Sequence, residues 1–407
     1  MNSTFAPHTL PADAPAAART LFRLLQQLQV GALDLQMPDG SQARFGTARP
    51  GEPQAAIRLL DWQVCGAALK SGDIGFAEAF IGGHWTSPDL VALLQLFLAN
   101  RDALDSVIFG SWWGRLLYRA KHLLNRNSRR GSRKNIHAHY DIGNPFYRLW
   151  LDETMNYSSA LFEGDLTRPM AQAQRAKVRR ALNEVQLQPG QRLLEIGCGW
   201  GALAEAAATE FQAEVVGVTL SDEQLAFARE RMGRHGVASQ VDLRLQDYRD
   251  ITDGPFDAIA SIEMFEAVGR AYWGDYFRTL QQQLKPGGRA CIQSITIRDD
   301  LFERYLRSTD FIQQYIFPGG LLPSISAFKA EAQRAGLEVV NELAFGGDYA
   351  ETLRRWRHDF LARDGQVRQL GFDTRFMRIW EFYLAYCEAA FATGNTNVVQ
   401  FTLRRPG

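Results

Sequence analysis

The stretch Leu193-Leu-Glu-Ile-Gly-Cys-Gly-Trp-Gly201 decides the fold of this 407-residue chain. A short apolar segment runs into a turn with three glycines, and helix-forming residues follow from Ala202 to Phe211. This order predicts a strand, a tight turn at the carboxyl end of the strand, and a helix. The glycines at 197, 199 and 201 would let the backbone approach a ligand closely at that turn.

Short β-branched segments alternate with helical patterns from Pro169 onward. The predicted strands are 192–196, 214–220, 241–246, 256–262, 289–297, 337–345 and 398–403. Such alternation is typical of an α/β fold, here with a mostly parallel, seven-stranded sheet that helices cover on both faces. An aromatic-rich insert at 299–324 interrupts the pattern, and inserts at such places often determine specificity.

The length of the chain predicts two domains, because it exceeds the usual size of one hydrophobic core. Residues 1–14 are expected to be a disordered tail, and residues 15–105 a small α+β accessory domain that binds lipid or dimerises. A helix is predicted there over 17–30. Residues 106–135 are predicted to form an amphipathic helix with a basic linker, and residues 136–407 the large α/β domain.

Composition excludes several classes of protein. The 45 basic residues balance 45 acidic ones, so charge does not indicate a nucleic-acid partner. The four cysteines include no Cys-x-x-Cys pair, and no metal-ligand cluster, P-loop or nucleophile triad is found. The N-terminus lacks the pattern of a secretory signal, and no apolar run reaches the ~20 residues that a membrane span needs. We expect a cytoplasmic protein whose contact with a membrane is peripheral.

The segment from Ser106 to Tyr140 contains no acidic residue and eight arginines and lysines. Its apolar positions, among them Trp112 and Trp113, follow helical spacing, with basic residues on or near the opposite face. This pattern suits an anionic membrane surface, here the inner face of the membrane. A helix packed in a core and followed by a solvated basic linker explains the pattern equally well.

An acidic residue, Glu195, precedes the first glycine of the loop. It would repel a pyrophosphate but pair with the amino group of a cofactor that carries an amino acid, which favours S-adenosylmethionine. Polar residues follow the next two predicted strands, where a cofactor in this kind of sheet is bound. They are Thr219, Gln224, Gln246, Asp247 and Tyr248.

Motifs from about Trp85 to the C-terminus resemble those of cyclopropane-fatty-acyl-phospholipid synthases and their mycolic-acid-modifying relatives. The matching segments besides the glycine loop are His139-Tyr-Asp-Ile-Gly-Asn-Pro-Phe-Tyr147, Met155-Asn-Tyr-Ser-Ser159, Glu263-Met-Phe-Glu-Ala-Val-Gly269, Tyr315-Ile-Phe-Pro-Gly-Gly320 and Asp348-Tyr349. The resemblance implies a class I methyltransferase sheet, a smaller N-terminal domain and a homodimer.

The resemblance also implies roles for individual residues. Tyr157 and Ser158 would close over the cofactor. The insert would contact the substrate through Tyr315, Phe317, Pro318 and Gly319.

In the family, the base is a bicarbonate held by a cysteine, a glutamate, a histidine and a tyrosine. Glu266 and Tyr349 match the glutamate and the tyrosine, whereas Ser159 stands in place of the cysteine and Gln293 in place of the histidine. These four residues are the catalytic candidates. Ser159 can still offer a backbone NH and Gln293 a hydrogen bond, but a neutral amide cannot relay a proton.

The leading prediction is methyl transfer to a double bond of a phospholipid acyl chain, with closure of a cyclopropane ring. The altered base site leaves open a methylated or methylenated chain without a ring. A methyltransferase for small molecules, and a lipid-binding protein on a degenerate methyltransferase fold, are the remaining alternatives.

Overall fold

The computed structural model describes residues 10–12, 14–104 and 142–407. The chain forms two compact units. The described part of the first comprises 10–12, 14–104, 304–316 and 371–395, and that of the second comprises 142–303, 317–370 and 396–407. Within these residues, no helix is long and apolar enough to cross a membrane.

The second unit is built on a seven-stranded sheet. Its strands in chain order are β5 (Arg192–Ile196), β6 (Glu214–Thr219), β7 (Val241–Leu245), β8 (Phe256–Ile262), β9 (Leu284–Ile297), β10 (Glu338–Ala344) and β11 (Thr396–Arg404). Their order in the sheet is β10-β11-β9-β8-β5-β6-β7, and β11 runs antiparallel to both of its neighbours while the remaining pairs are parallel. The predicted mostly parallel α/β sheet is confirmed, and each predicted strand forms with ends within a few residues.

The second unit also contains eight complete α-helices and three short 3-10 helices among the described residues. The α-helices are α4 (Asn144–Tyr147), α5 (Met170–Glu184), α6 (Ala202–Thr209), α7 (Asp222–Arg234), α8 (Trp273–Gln283), α11 (Ile325–Arg334), α12 (Gly346–Ala362) and α13 (Asp364–Gln369). The 3-10 helices are Tyr248–Asp250, Phe265–Ala267 and Arg270–Tyr272. The apolar core lies between the sheet and helices α5, α6 and α7, where Leu193, Leu203 and Ala228 are at most 7% exposed.

The first unit contains a four-stranded sheet of order β2-β1-β3-β4. Its elements in chain order are α1 (Ala16–Leu25), β1 (Ala32–Gln36), β2 (Gln42–Gly46), β3 (Gln54–Leu59), α2 (Gln63–Ile81), β4 (Trp85–Thr86), α3 (Leu90–Ala99), α10 (Phe311–Tyr315) and α14 (Thr374–Ala392). Helix α3 packs on α14 and on β3. Helix α9 (Asp299–Tyr305) contains the point where the chain passes from the second unit to the first.

The predicted helix over 17–30 ends early, at Leu25. The Asn100 side chain accepts hydrogen bonds from the backbone NH groups of Gln29 and Val30, at 2.8 and 3.0 Å, and donates to the Val30 carbonyl at 2.7 Å. These bonds hold residues 29 and 30 out of the helix. A partner seventy residues away overrides the local helical pattern here.

Several predicted features lie outside the described residues. They are most of the tail 1–14, the amphipathic helix and basic linker of 106–135, and the first residues of the His139–Tyr147 motif.

Candidate active site

The predicted ligand-binding residues lie where neighbouring parallel strands end. Gly197 follows β5, Thr219 ends β6, Gln246 follows β7 and Glu263 follows β8. Because these four strands are parallel neighbours, their carboxyl ends meet at one edge of the sheet. Ligands of open α/β sheets bind at this edge.

The three glycines of the loop have positive φ angles, but their surroundings differ. A Cβ atom on Gly197 would approach the Met264 side chain at 2.9 Å, and one on Gly201 would approach the Ala228 Cβ at 2.9 Å. These two glycines permit close packing. A Cβ on Gly199 would meet nothing within 4 Å, so its backbone borders open space.

The carboxylate of Glu195 is buried beside the loop, and only 3% of the residue is exposed. Its Oε2 atom is buried without a hydrogen-bond partner. Burial raises the pKa of the Glu195 carboxyl well above its ordinary value, while the Ala204 NH and the charge of Lys177 oppose that rise. An unpartnered buried carboxylate is costly, so this atom fits the ammonium group of a bound amino-acid cofactor.

The polar residues after β6 bond to one another. Thr219 donates its hydroxyl to the Gln224 side-chain oxygen at 3.0 Å, and both residues are buried. Gln246 donates from its backbone to the Thr219 carbonyl at 3.1 Å. Three of the predicted cofactor residues therefore lie close together, at the ends of β6 and β7.

Asp247 and Tyr248 follow at the same edge. Asp247 forms a two-bond ion pair with Arg249, at 2.8 and 2.5 Å. The Tyr248 ring lies edge-on to Tyr276, with centroids 5.5 Å apart, and burial raises the pKa of its hydroxyl. Asp247 is thus already engaged by the Arg249 guanidinium, which also lies over the Tyr248 ring, 5.6 Å from its centroid.

The segment with Tyr157 and Ser158 is held from two sides. Tyr157 packs among aromatic rings, with Tyr147 and Trp356 at centroid distances of 5.4 and 5.5 Å. The ammonium of Lys177, on α5, donates to the Ser158 hydroxyl. Lys177 is fully buried, and burial lowers the pKa of its ammonium group to about 8.

Three of the four catalytic candidates converge on a carboxylate that the sequence motifs did not single out. Glu263 Oε1 accepts from the Ser159 backbone NH at 2.9 Å and from the Gln293 amide at 2.7 Å. Its Oε2 accepts from the Tyr349 hydroxyl at 2.7 Å. The donors come from a loop, from β9 and from α12, so three separate segments fix one carboxylate.

The backbone at Glu263 is strained. Its φ angle is +50°, in the left-handed region that favours glycine. A residue with a Cβ atom there costs roughly 1–2 kcal/mol. Four other described non-glycine residues, Met155, Glu163, Gln186 and Gln212, also have positive φ angles. At Glu263 the strain coincides with a buried carboxylate that three donors hold in place.

Glu266, the fourth candidate, lies one turn further on and has different partners. Its Oε1 accepts from the Ile295 backbone NH and from the Ser294 hydroxyl, the latter at 3.1 Å. Its Oε2 is buried without a partner. Burial, together with the nearby negative charge of Glu263, raises the pKa of the Glu266 carboxyl to about 8.

The two carboxyls have different electrostatic surroundings. Burial raises the pKa of Glu263 above its ordinary value, but the charge of Lys177 and the hydrogen bonds from Tyr349, Ser159 and Gln293 oppose the rise. No comparable cation opposes the rise for Glu266. The charge of Lys177 and the three hydrogen bonds therefore favour ionisation of Glu263 over ionisation of Glu266.

The predicted substrate residues fall in both units. Tyr315 belongs to the first unit, where its hydroxyl donates to Glu78 at 2.5 Å. Phe317, Pro318 and Gly319 belong to the second, in a turn whose next residues run beside Glu266. There the Leu321 NH donates to the Glu266 carbonyl at 2.9 Å.

Sequence reasoning missed Glu263 and Lys177. Glu263 directly follows the last residue of β8, and this position after a parallel strand was the available signal. Lys177 lies inside helix α5 and belongs to none of the motifs.

Comparison with known proteins identifies the family of the chain. The profile of a family described as mycolic acid cyclopropane synthetase matches residues 127–401. The structure of mycolic acid cyclopropane synthase CmaA1 complexed with SAH and CTAB covers 67% of this chain and 98% of its own, with a TM-score of 0.63 and 33% identity.

Two relatives align over most of the chain. Tuberculostearic acid methyltransferase UfaA1 of Mycobacterium tuberculosis is 39% identical over 401 residues, which are 97% of this chain and 93% of the relative. Cyclopropane-fatty-acyl-phospholipid synthase of Escherichia coli is 32% identical over 363 residues, 89% of this chain and 91% of the relative.

The fold and the cofactor edge define a class I methyltransferase that depends on S-adenosylmethionine. With a family profile that matches more than half of its length, the chain belongs to the mycolic acid cyclopropane synthetase family.

The unpartnered carboxylate of Glu195 predicts a loss of cofactor affinity on substitution. Glu195→Gln removes the charge that pairs with an ammonium group, a charge-assisted bond worth about 1.5–3 kcal/mol. Titration calorimetry with S-adenosylmethionine should show affinity roughly 10–100-fold weaker. Glu210→Gln, which removes an exposed partner of Arg179, is the control and should bind normally. Equal affinity in both variants would exclude the pairing.

The raised pKa of Glu266 predicts a dependence of stability on pH. A carboxyl with a folded-state pKa of about 8 stabilises the fold below its ordinary pKa of 4.5, and this contribution is lost as pH rises through 8. Glu266→Gln removes the effect. Its free energy of unfolding should match wild type near pH 4.5 and exceed it by on the order of 1–3 kcal/mol at pH 8. Urea unfolding at several pH values measures the difference, and a difference constant with pH would contradict the assignment.

Proposed function

We propose that the protein transfers a methyl group from S-adenosylmethionine to a double bond in an unsaturated phospholipid acyl chain, with Glu263 as the base. The observation that carries this proposal is the convergence of donors on Glu263 beside the cofactor edge. The acceptor is supported by the names of two relatives, which refer to tuberculostearic acid and to a fatty-acyl phospholipid.

The reaction requires a binding site that excludes water and a base that accepts a proton. Bound S-adenosylmethionine supplies an electrophilic methyl group. An alkene is a weak nucleophile, so the protein must align it and exclude water. The carbon beside the newly methylated one becomes a cation, and a C–H bond must then break. The electron pair of that bond closes a ring or forms a new double bond, while the proton passes to Glu263 and later to water.

We propose that Glu263 takes the place that bicarbonate has in the family. The donors expected to hold the anion are Ser159, Gln293 and Tyr349, and each donates to Glu263 instead. A second anion beside this carboxylate would meet a like charge in a buried site. The residues present therefore do not fit bicarbonate, and no step of the proposed reaction uses it.

The product that we favour has no ring. Hydride moves from the methylated carbon to the neighbouring cationic carbon, so the charge comes to lie on the carbon that bears the new methyl group. Loss of a proton from this methyl group to Glu263 then leaves a methylene-branched chain. The proposed base here is the Glu263 side chain, which three protein donors hold in place. The family resemblance associates ring closure with a different base, a bound bicarbonate. One relative supports a product without a ring, because the one that aligns over 97% of the chain is named a tuberculostearic acid methyltransferase and not a cyclopropane synthase. Ring closure is the second candidate, favoured by the 32% identity with a cyclopropane-fatty-acyl-phospholipid synthase.

We propose further that the protein works at the cytoplasmic face of an anionic membrane, as a peripheral protein. The support is the charge of the segment 106–140, which has eight basic residues and no acidic one. Each basic residue near an anionic surface adds about 1 kcal/mol to binding.

A product assay tests the acceptor and the product together. The purified chain is incubated with S-adenosylmethionine and vesicles of monounsaturated phosphatidylglycerol, and the acyl chains are analysed by mass spectrometry and NMR. We expect a gain of one CH₂ with the signals of an exocyclic methylene group, and less product with neutral vesicles. Cyclopropane signals would support the second candidate, and methylation of soluble acceptors alone would refute the lipid proposal.

Substitution of Glu263 tests the base. Glu263→Gln keeps the size of the side chain but cannot take a proton, so turnover should fall by about 10²–10⁴-fold with cofactor affinity unchanged. Glu263→Gly relieves the left-handed strain and leaves the three donors free, so added formate should restore part of the activity. Wild type should keep its full rate in buffer free of carbon dioxide. A wild-type rate that depends on bicarbonate, or an active Glu263→Gln, would refute the assignment.

A further inference from the structure

A line of buried side chains runs from Glu263 to the outer end of helix α5. The Gln293 amide donates to Glu263 at 2.7 Å, and its oxygen accepts from the Gln400 amide at 3.0 Å. The Gln400 oxygen accepts from Arg180 at 2.5 Å. Gln293 and Gln400 are fully buried and are paired residues of the neighbouring strands β9 and β11.

The groups at the two ends of this line determine how the amides of Gln400 and Gln293 are oriented. A guanidinium group can only donate hydrogen bonds, so Gln400 must turn its oxygen towards Arg180. Its NH₂ group then points inward, where it donates to Gln293 and also to the Lys177 carbonyl at 3.2 Å. Gln293 must in turn present its oxygen to Gln400 and its NH₂ group to Glu263.

The opposite orientation would be strongly unfavourable. With both amides flipped, the NH₂ group of Gln400 would face Arg180, and the oxygen of Gln293 would face the carboxylate of Glu263. Buried donors and acceptors left without partners cost about 1–3 kcal/mol each. Only the observed direction gives every group in the line a partner.

We propose that Gln400 and Arg180 are positioning residues, which hold the Gln293 amide with its NH₂ group towards Glu263 and so keep that carboxylate ionised and oriented. Neither residue touches the reacting atoms, because each acts through the amide that follows it. Arg180 is anchored in turn by Glu184, at 3.3 Å and one turn further along α5. The inference rests on the proposed role of Glu263 as the base.

The test replaces Gln400, in the middle of the line. Gln400→Met keeps the length of the side chain but removes its polarity, so Gln293 is free to turn and Glu263 loses an oriented donor. We expect the acid limb of the pH profile of kcat/KM to move up by about one pH unit, with KM for S-adenosylmethionine within twofold of wild type. Arg180→Gln, nearer the surface, should give a smaller shift of the same sign.

Thr296→Val is the matched control. Thr296 lies on β9, three residues from Gln293, is 1% exposed, and donates to the Asn397 carbonyl at 3.5 Å rather than to a residue of this line. It should leave the pH profile unchanged. Two results would overturn the proposal. In one, the pH profiles of Gln400→Met and Arg180→Gln superimpose on that of wild type; in the other, kcat/KM falls by the same factor at every pH.

A second measurement needs no lipid and separates this inference from the proposed function. Loss of the donor raises the folded-state pKa of Glu263, so the destabilisation by Gln400→Met should grow as pH rises from 5 to 8. In a Glu263→Gln background the destabilisation should be the same at every pH. A pH-dependent cost that persists in that background would refute the inference, whereas a wild type inactive on vesicles would refute only the proposed function.

Discussion

The carboxylate of Glu263 is the point on which the proposed site depends. Its three donors, Ser159, Gln293 and Tyr349, come from a loop, a strand and a helix, so the carboxylate fixes these segments relative to one another. The backbone at Glu263 has a left-handed conformation that a glycine would adopt without strain. A glycine would leave three donors without an acceptor, and the hydrogen bonds to the carboxylate outweigh the local strain.

Charge is distributed unequally around the two neighbouring carboxyls, Glu263 and Glu266. The buried ammonium of Lys177 lies among the carboxylates of Glu195, Glu263 and Asp152, each of which raises its pKa against the effect of burial. No such cation opposes the rise in the pKa of the Glu266 carboxyl. Two carboxyls within one turn thus have different surroundings, which favour ionisation of Glu263. Glu195 and Glu263 share one buried cation, so their electrostatics are linked.

Much of the fold was predictable from sequence, because strands β5 to β8 and the glycine loop follow local rules. The end of helix α1 was not, since a distant side chain, Asn100, holds residues 29 and 30 out of it. Motif matching predicted Ser159, Gln293, Tyr349 and Glu266 as a group, whereas in the structure the first three donate to Glu263. The backbone φ angle and the direction of the side chain determine which of the two glutamates accepts these hydrogen bonds. Neither can be read from the order of residues in the sequence.

Strand β11 lies between β9 and β10 in the sheet but is encoded last of the three. About a hundred residues separate Ile297, at the end of β9, from Thr396, at the start of β11. At ribosomal speed the nascent chain takes roughly 5–20 s to make them. During that time the glycine loop and β5 to β8 are already synthesised, while Gln293 can pair only with β8 and lacks Gln400, its partner on β11. A growing polypeptide can therefore assemble its cofactor edge before the hydrogen bond from Gln400 that orients the Gln293 amide can form.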